Sequence, residues 1–328
     1  NVATSDPSYG SDTGTYQLSF DIYDPGEVGA VGVSIDGTPT DGASPWVDSL
    51  VTNAGWASPT GDTTTTITYT FASGAGGPVS GLTWDASSRS AFEAAITQYE
   101  AIANIDFVYV ADPNDANISW WLGSGADFYQ GVLGWHYLPA LGVTKRSGAF
   151  NTDAIGWTSD GLVQGGYGYV TIIHEMGHGL GLVHPHDSDV PFPGVTSAFD
   201  DYGTYDLNQG IWTTMSYNSG WPSVIAPVGA TTGYEGSPMA LDVAAIQDIY
   251  GANLTHKTGD DVYLLADVID KAWMCVWDAG GTDVISGEGL SDDLLIDLRA
   301  ATLIDSNAGG FVSCTVSYDS LLPTKVGG

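Results

Sequence analysis

His174, Glu175, His178, Gly181 and His184 fall within one eleven-residue stretch, HEMGHGLGLVH. Histidines four residues apart on a helix stand one turn apart on the same face, so both imidazoles can reach one metal ion. Glu175 follows the first of them, off that axis, where it can touch a metal-associated water without ligating the metal. Gly181 can take φ > 0, which lets the helix stop and the chain turn back. The turn brings His184 round as a third ligand and leaves a fourth position for water, the open arrangement of a catalytic zinc site. The chemistry this implies is metal-assisted hydrolysis, with Zn²⁺ on His174, His178 and His184 and Glu175 as general base. A chance HExxH occurs in many helices. Here five positions agree, and three of the six histidines in the chain lie in this one stretch.

Such side chains need a helix under them and a sheet beside them. Residues 169–180 supply the helix. Ahead of it, residues 64–71 are β-branched and aromatic and read as a strand. Residues 87–103 read as a helix, with Phe92, Ala95, Ile96, Tyr99 and Ile102 as a core-facing stripe at helical spacing. Strands are expected at 105–110, 117–122 and 131–138. A further long helix is expected over 237–250, with Ser237 as N-cap, Pro238 in its first turn and Gly251 past its end. Its buried face would be Leu241, Ala244, Ala245 and Ile249. Residues 1–62 are rich in Gly, Ser, Thr, Asp and Pro and read as a loop-rich N-terminal segment. After Asn253 the pattern changes to short strands and Gly-Asp turns. The expected organisation is therefore α+β: a catalytic domain over 63–254 and a small C-terminal β domain over 255–328.

Composition narrows the partners. The 328 residues carry 7 basic and 39 acidic side chains, a formal net charge of −32. Phosphate backbones would be repelled, which argues against nucleic acid, and anionic membranes are disfavoured for the same reason. Only 14% of residues are charged, so the acidity reflects missing lysine and arginine more than added carboxylates. No apolar run approaches a membrane span. A start at Asn1 without methionine is the expected appearance of a chain whose leader or propeptide has been removed, and a soluble monomer outside the cell is the expected form. Cys275 and Cys314 are too few for a disulfide scaffold. They either pair in an oxidising exterior or remain two buried thiols.

HExxHxxGxxH is the metzincin motif, which comes with a methionine-containing turn downstream. Thr213-Thr214-Met215-Ser216-Tyr217-Asn218 is the candidate for that turn. Pro185 directly after the third histidine, and Met-Ser-Tyr at the turn, resemble the serralysin family of secreted zinc metalloproteases. PMALDVAAIQDIYGAN (238–253), Thr258-Gly259-Asp260 and WDAGGTD (277–283) are similar to that family as well. The resemblance runs from about residue 65 to the C-terminus. The first sixty residues have no counterpart, the acidic segment 187–209 departs from the family pattern, and the family's GGxGxDxUx calcium repeats are missing. The chain ends about where they would begin, as a processed form or a short member would.

The resemblance implies a metzincin fold: a twisted, mostly parallel sheet with an antiparallel edge strand and two long helices, followed by a β-sandwich or the start of a β-roll. It makes Met215 the apolar floor under the metal. It gives Tyr217 two roles, as a possible zinc ligand at rest and as a hydrogen-bond donor to the oxyanion during catalysis. Substrate would lie along the edge strand at Gly134, Trp135, His136, Tyr137 and Leu138, where open backbone groups hold an extended peptide. His136 is not needed as a ligand, because the set of three histidines is complete. Ca²⁺ would be held by Asp261, Asp278 and Asp283 with the backbone carbonyls of Lys257, Gly259 and Gly280, an oxygen-rich set in flexible turns. Asp187, Asp189, Asp200, Asp201 and Asp206 offer a further calcium site as the alternative, but they read first as a solvated acidic loop. The implied activity is a secreted endopeptidase acting on proteins and peptides. The competing reading is a secreted calcium-binding β-roll or adhesion protein with a vestigial zinc site.

Overall fold

Burial alternates over the first half of TTITYTFA and is continuous over the second, so β1 (Thr65–Ala72) is an inner strand with Ile67, Tyr69 and Phe71 in the core. In the computed structural model the described residues are 44–52, 54–57, 63–187, 190–222, 229–267 and 271–291, with the backbone of three strands beyond. Ahead of β1, a single turn of helix, α1 (Pro45–Asp48), buries Val47. After β1, Asp85 accepts from the Ser88 N–H at 2.7 Å and so caps α2 (Ala86–Ile102). The five residues of its predicted stripe are all buried.

The next strands are β2 (Ile105–Tyr109), β3 (Ile118–Gly123), β4 (Gly134–His136) and β5 (Arg146–Asn151). The sheet order is β2-β1-β3-β5-β4, parallel throughout except for the antiparallel pair β4–β5. This is the expected mostly parallel sheet with an antiparallel edge. Two details differ from expectation. The strand expected over 131–138 contracts to Gly134–His136. β5, whose sequence RSGAFN lacks a β-branched run, carried no strand signal and forms because it pairs on both sides.

α3 (Tyr167–Leu180) begins two residues earlier than its periodicity suggests and packs on α2, β4 and β5. Past the loops that follow lie β6 (Tyr234–Glu235) and α4 (Ala240–Tyr250). Ser237 is not the N-cap of α4; Met239 occupies that place, and its N–H is satisfied by Asp242 at 2.9 Å. The Ser237 hydroxyl is drawn away by the Cys275 N–H, which it accepts at 2.9 Å. The buried face of α4 is Leu241, Asp242, Val243, Ala245, Ile246 and Tyr250, whereas Ala244 and Ile249 are half-buried. The helix is covered on more than one side, so a single stripe does not describe it.

β7 (Val262–Leu264) pairs in parallel with β9 (Val284–Ser286), and β8 (Ala272–Cys275) pairs in parallel with β6. Beyond β9, the backbones of β10 (Asp293–Asp297), β11 (Phe311–Thr315) and β12 (Val326–Gly327) extend the β6–β8 sheet in the order β10-β11-β12-β8-β6. The readings of residues 1–43, of Asp189 and of a Cys275–Cys314 disulfide lie outside the described residues. Among the described residues, no helix is long and apolar enough to cross a membrane.

Candidate metal centre and active site

α3 carries His174 and His178 on one face, and Gly181 ends it in a left-handed conformation at φ 112. The returning chain is tied down on three sides. Thr52 N–H donates to the Gly181 carbonyl at 2.9 Å, and Val183 N–H donates to the Leu50 carbonyl at 2.9 Å. Trp56 Nε1 donates to the Gly179 carbonyl at 2.8 Å, and the Tyr250 hydroxyl to the Leu180 carbonyl at 2.7 Å. These bonds use up the orphan carbonyls of the helix end and fix the turn that delivers His184.

The three imidazoles converge. His184 Nε2 lies 3.0 Å from His174 Nε2 and 2.9 Å from His178 Nε2. Every opposite ring nitrogen faces an acceptor. His174 Nδ1 donates to the Thr214 carbonyl at 2.7 Å, His178 Nδ1 to the Leu182 carbonyl at 2.8 Å, and His184 Nδ1 to Asp187 Oδ2 at 3.0 Å. A carbonyl or an ionised carboxylate can only accept, so each Nδ1 keeps its proton and each Nε2 presents a lone pair. Burial, and the closeness of the rings to one another, depress all three to a pKa of about 3, so they stay neutral. Three lone pairs facing one another repel unless a cation sits among them. Nitrogens about 2.0–2.1 Å from a tetrahedral zinc stand at comparable mutual distances, so the residues fit that metal.

Glu175 is 6% exposed, its Oε2 is buried without a partner, and burial pushes its pKa up to about 8. It lies under the sheet edge: a Cβ on Gly134 would stand 3.2 Å from its Cγ. Met215 is fully buried, with its sulfur against Gly177 between the two helix histidines. The Tyr217 ring centroid is 4.6 Å from that of His184 and 5.9 Å from that of His174. Burial, with Glu175 and Asp187 nearby, raises its phenol to about 12, so it keeps its proton as a donor.

The edge strand is only partly as expected. Gly134, Trp135 and His136 pair with β5, and Tyr137 N–H adds one bond to the Ser147 carbonyl at 3.0 Å. Leu138 falls outside the strand, although its carbonyl takes Arg146 Nε at 2.6 Å. The His136 ring is buried against Gly148 and Gly179, its Nδ1 donates to the Tyr137 carbonyl at 2.8 Å, and burial lowers it to about 4. It lies in none of the metal-capable clusters among the described residues.

The three acidic residues singled out for calcium come together. Asp261, Asp278 and Asp283 each bring a carboxylate oxygen within 4.8 Å of the others. Asp283 Oδ1 accepts the Asp261 N–H at 2.9 Å, while its Oδ2 is buried with no partner, the condition a cation would relieve. Asp278 accepts from the Gly280 N–H at 3.0 Å and from the Tyr263 hydroxyl. The Gly259 carbonyl lies against Gly281, in the turn that leads to Asp283. Lys257 takes φ 48 and sets its ammonium 3.9 Å from Asp261 and over the Tyr263 ring at 4.1 Å.

Three further residues belong to the site that the sequence had not assigned to it. Asp187 is not merely a solvated acid, since it orients His184. His186 stacks on His184 with centroids 4.8 Å apart and sits 4.6 Å from Tyr217. Asp242 holds Thr214, whose carbonyl positions His174. Only the Asp187 position, three residues after His184, was open to a reading by spacing.

The model of the peptidase M10 serralysin C-terminal family matches residues 240–324. A serralysin of Proteus mirabilis is 37% identical over 178 residues, 50% of this chain and 34% of the relative. A serralysin of Photorhabdus luminescens is 30% identical over 243 residues, 68% of this chain and 49% of the relative. Metallopeptidase AprA of Pseudomonas marginalis is 27% identical over 269 residues, 75% of this chain and 54% of the relative. The chain thus spans between a third and about half of the length of the curated relatives it matches. The Pseudomonas and Photorhabdus matches cover two thirds or more of the chain, and the family model matches its C-terminal part independently. On these grounds the chain belongs to the serralysin family.

Proposed function

We propose that the chain is a secreted zinc-dependent endopeptidase of metzincin fold that hydrolyses peptide bonds of extracellular proteins. The observation that carries this reading is the convergence of three Nδ1-anchored histidines next to Glu175, whose Oε2 is buried without a partner. His174, His178 and His184 would hold zinc, with Tyr217 as a possible fourth partner at rest. Zinc, when bound, supplies a Lewis acid that polarises the scissile carbonyl and makes water a stronger nucleophile.

The rest of the work belongs to the chain. A cation on the histidines favours the ionised form of Glu175, which accepts the proton of the attacking water and delivers it to the leaving amine. The Tyr217 hydroxyl donates to the carbonyl oxygen as negative charge develops there. The open edge of β4 offers backbone N–H and C=O groups to an extended peptide just above Glu175. Asp261, Asp278 and Asp283, with carbonyls of Lys257, Gly259 and Gly280, would hold calcium as a structural ion.

The test is Glu175→Gln. The variant is expected to fold and to retain one zinc by metal analysis, while casein hydrolysis falls by about 10²–10⁴, the scale for losing a general base. Near-unchanged hydrolysis would sink the mechanism, and absence of hydrolysis by the unmodified zinc-loaded chain would sink the activity itself.

A further inference from the structure

Phe199 is 63% exposed on a loop that is otherwise tightly built. Asp201 organises that loop: its Oδ2 accepts from the Thr196 N–H at 2.7 Å, the Thr196 hydroxyl at 2.9 Å and the Ser197 N–H at 3.1 Å. The Ser197 hydroxyl donates to the Phe199 carbonyl at 3.0 Å. Asp200 N–H donates to Asn218 Oδ1 at 2.8 Å, which ties the loop to the residue after Tyr217. Asp200 itself adopts φ 58, a left-handed conformation that side-chain-bearing residues adopt at some cost and that is found where the surroundings enforce it. The backbone on both sides of Phe199 is therefore held, and its ring is presented rather than left to drift.

The place where it is presented sets it apart. Tyr129 and Leu141 are more exposed, at 89% and 85%, but scattered exposed apolar residues need no explanation. The Phe199 ring lies 5.2 Å from the Tyr217 ring, and Tyr217 lies 4.6 Å from both His184 and His186. A continuous row of rings thus runs from the metal centre outward and ends in an open apolar face. Consecutive Cα atoms of a peptide are about 3.8 Å apart. A substrate whose reacting carbonyl lies between Glu175 and Tyr217 therefore brings a flanking side chain within reach of that face. The surrounding loop carries Asp187, Asp200, Asp201 and Asp206, which would repel an acidic side chain and leave an apolar one unaffected.

We propose that Phe199 is a specificity-determining residue, whose exposed ring takes an apolar side chain of the substrate residue flanking the cleaved bond. The proposal rests on the peptidase reading of the same site. Its test is a peptide series in which the residues flanking the cleaved bond are Leu or Phe in one set and Ser or Asp in the other. The unmodified chain is expected to favour the apolar set. Phe199→Ala should lower kcat/KM for the apolar set by about tenfold or more, the scale of one lost apolar contact, and leave the polar set nearly unchanged. Phe199→Leu should restore most of the preference. An equal fall for both sets would make Phe199 a support for Tyr217 and overturn the proposal, as would an unchanged ratio or no preference in the unmodified chain. Loss of the proteolytic reading looks different: neither set would be cleaved by any form of the chain.

Discussion

Asp242 grips Thr214 twice, accepting its N–H at 2.7 Å and its hydroxyl at 2.9 Å. The Thr214 carbonyl receives the Nδ1 proton of His174 at 2.7 Å. A carboxylate on α4 therefore sets the orientation of the first histidine of the candidate metal centre through a single residue. Asp242 also accepts from the Thr213 hydroxyl at 2.6 Å, so the segment before Met215 is held throughout.

Replacing Asp242 by Ala leaves several buried donors without an acceptor. Stability should fall by about 2–4 kcal/mol, the cost of stranding such groups. Zinc affinity should fall by about 10- to 100-fold, as for other outer partners of metal ligands. Urea denaturation and a zinc competition titration on the same variant measure the two effects. Unchanged zinc affinity in a destabilised protein would reduce Asp242 to a packing role.

Tyr217→Phe removes a donor proposed to act mainly in the transition state. kcat should fall by about 10²–10³ with a smaller change in KM. Steady-state kinetics on one peptide decide the matter, and a pure KM effect would mean that the ring only positions substrate.

Glu235, on β6, accepts the Gly220 N–H at 2.7 Å and is fully buried, with burial raising its pKa to about 7. A folded-state pKa above the unfolded value gives a contribution that is complete below about pH 4.5 and lost as pH rises through about 7. Glu235→Gln should therefore match the unmodified chain near pH 4.5. It should exceed the unmodified chain above pH 7 by on the order of 3 kcal/mol. Chemical denaturation of the two zinc-loaded proteins across this range is the check, and parallel curves would refute the assignment.

Calcium removal should lower the melting temperature through residues 257–283, because an ion bound only to the folded state stabilises it by mass action. The loss should persist at high salt, where screening of surface charge is saturated. Asp283→Asn should melt low and respond little to chelator. An unchanged melting temperature with a chelator that spares zinc would remove the calcium site.

Local periodicity made much of this legible in the sequence. The spacing of His174, His178 and Gly181 alone dictates a shared helix face and a left-handed stop, because helical geometry and glycine's access to φ > 0 are properties of neighbouring residues. The stripe from Phe92 to Ile102 was readable for the same reason. The same logic failed where burial comes from more than one side. Ala244 and Ile249 were expected inside but are half-buried, while Ile246, not among the expected residues, is fully buried, because α4 meets the protein on several faces. Tertiary structure alone decided that Trp56 ties down the end of α3, that Asp242 reaches Thr214, and that Phe199 stands beside Tyr217. Each pairing joins residues 18 or more positions apart. Such contacts depend on which faces of the folded elements meet, and no local spacing encodes that.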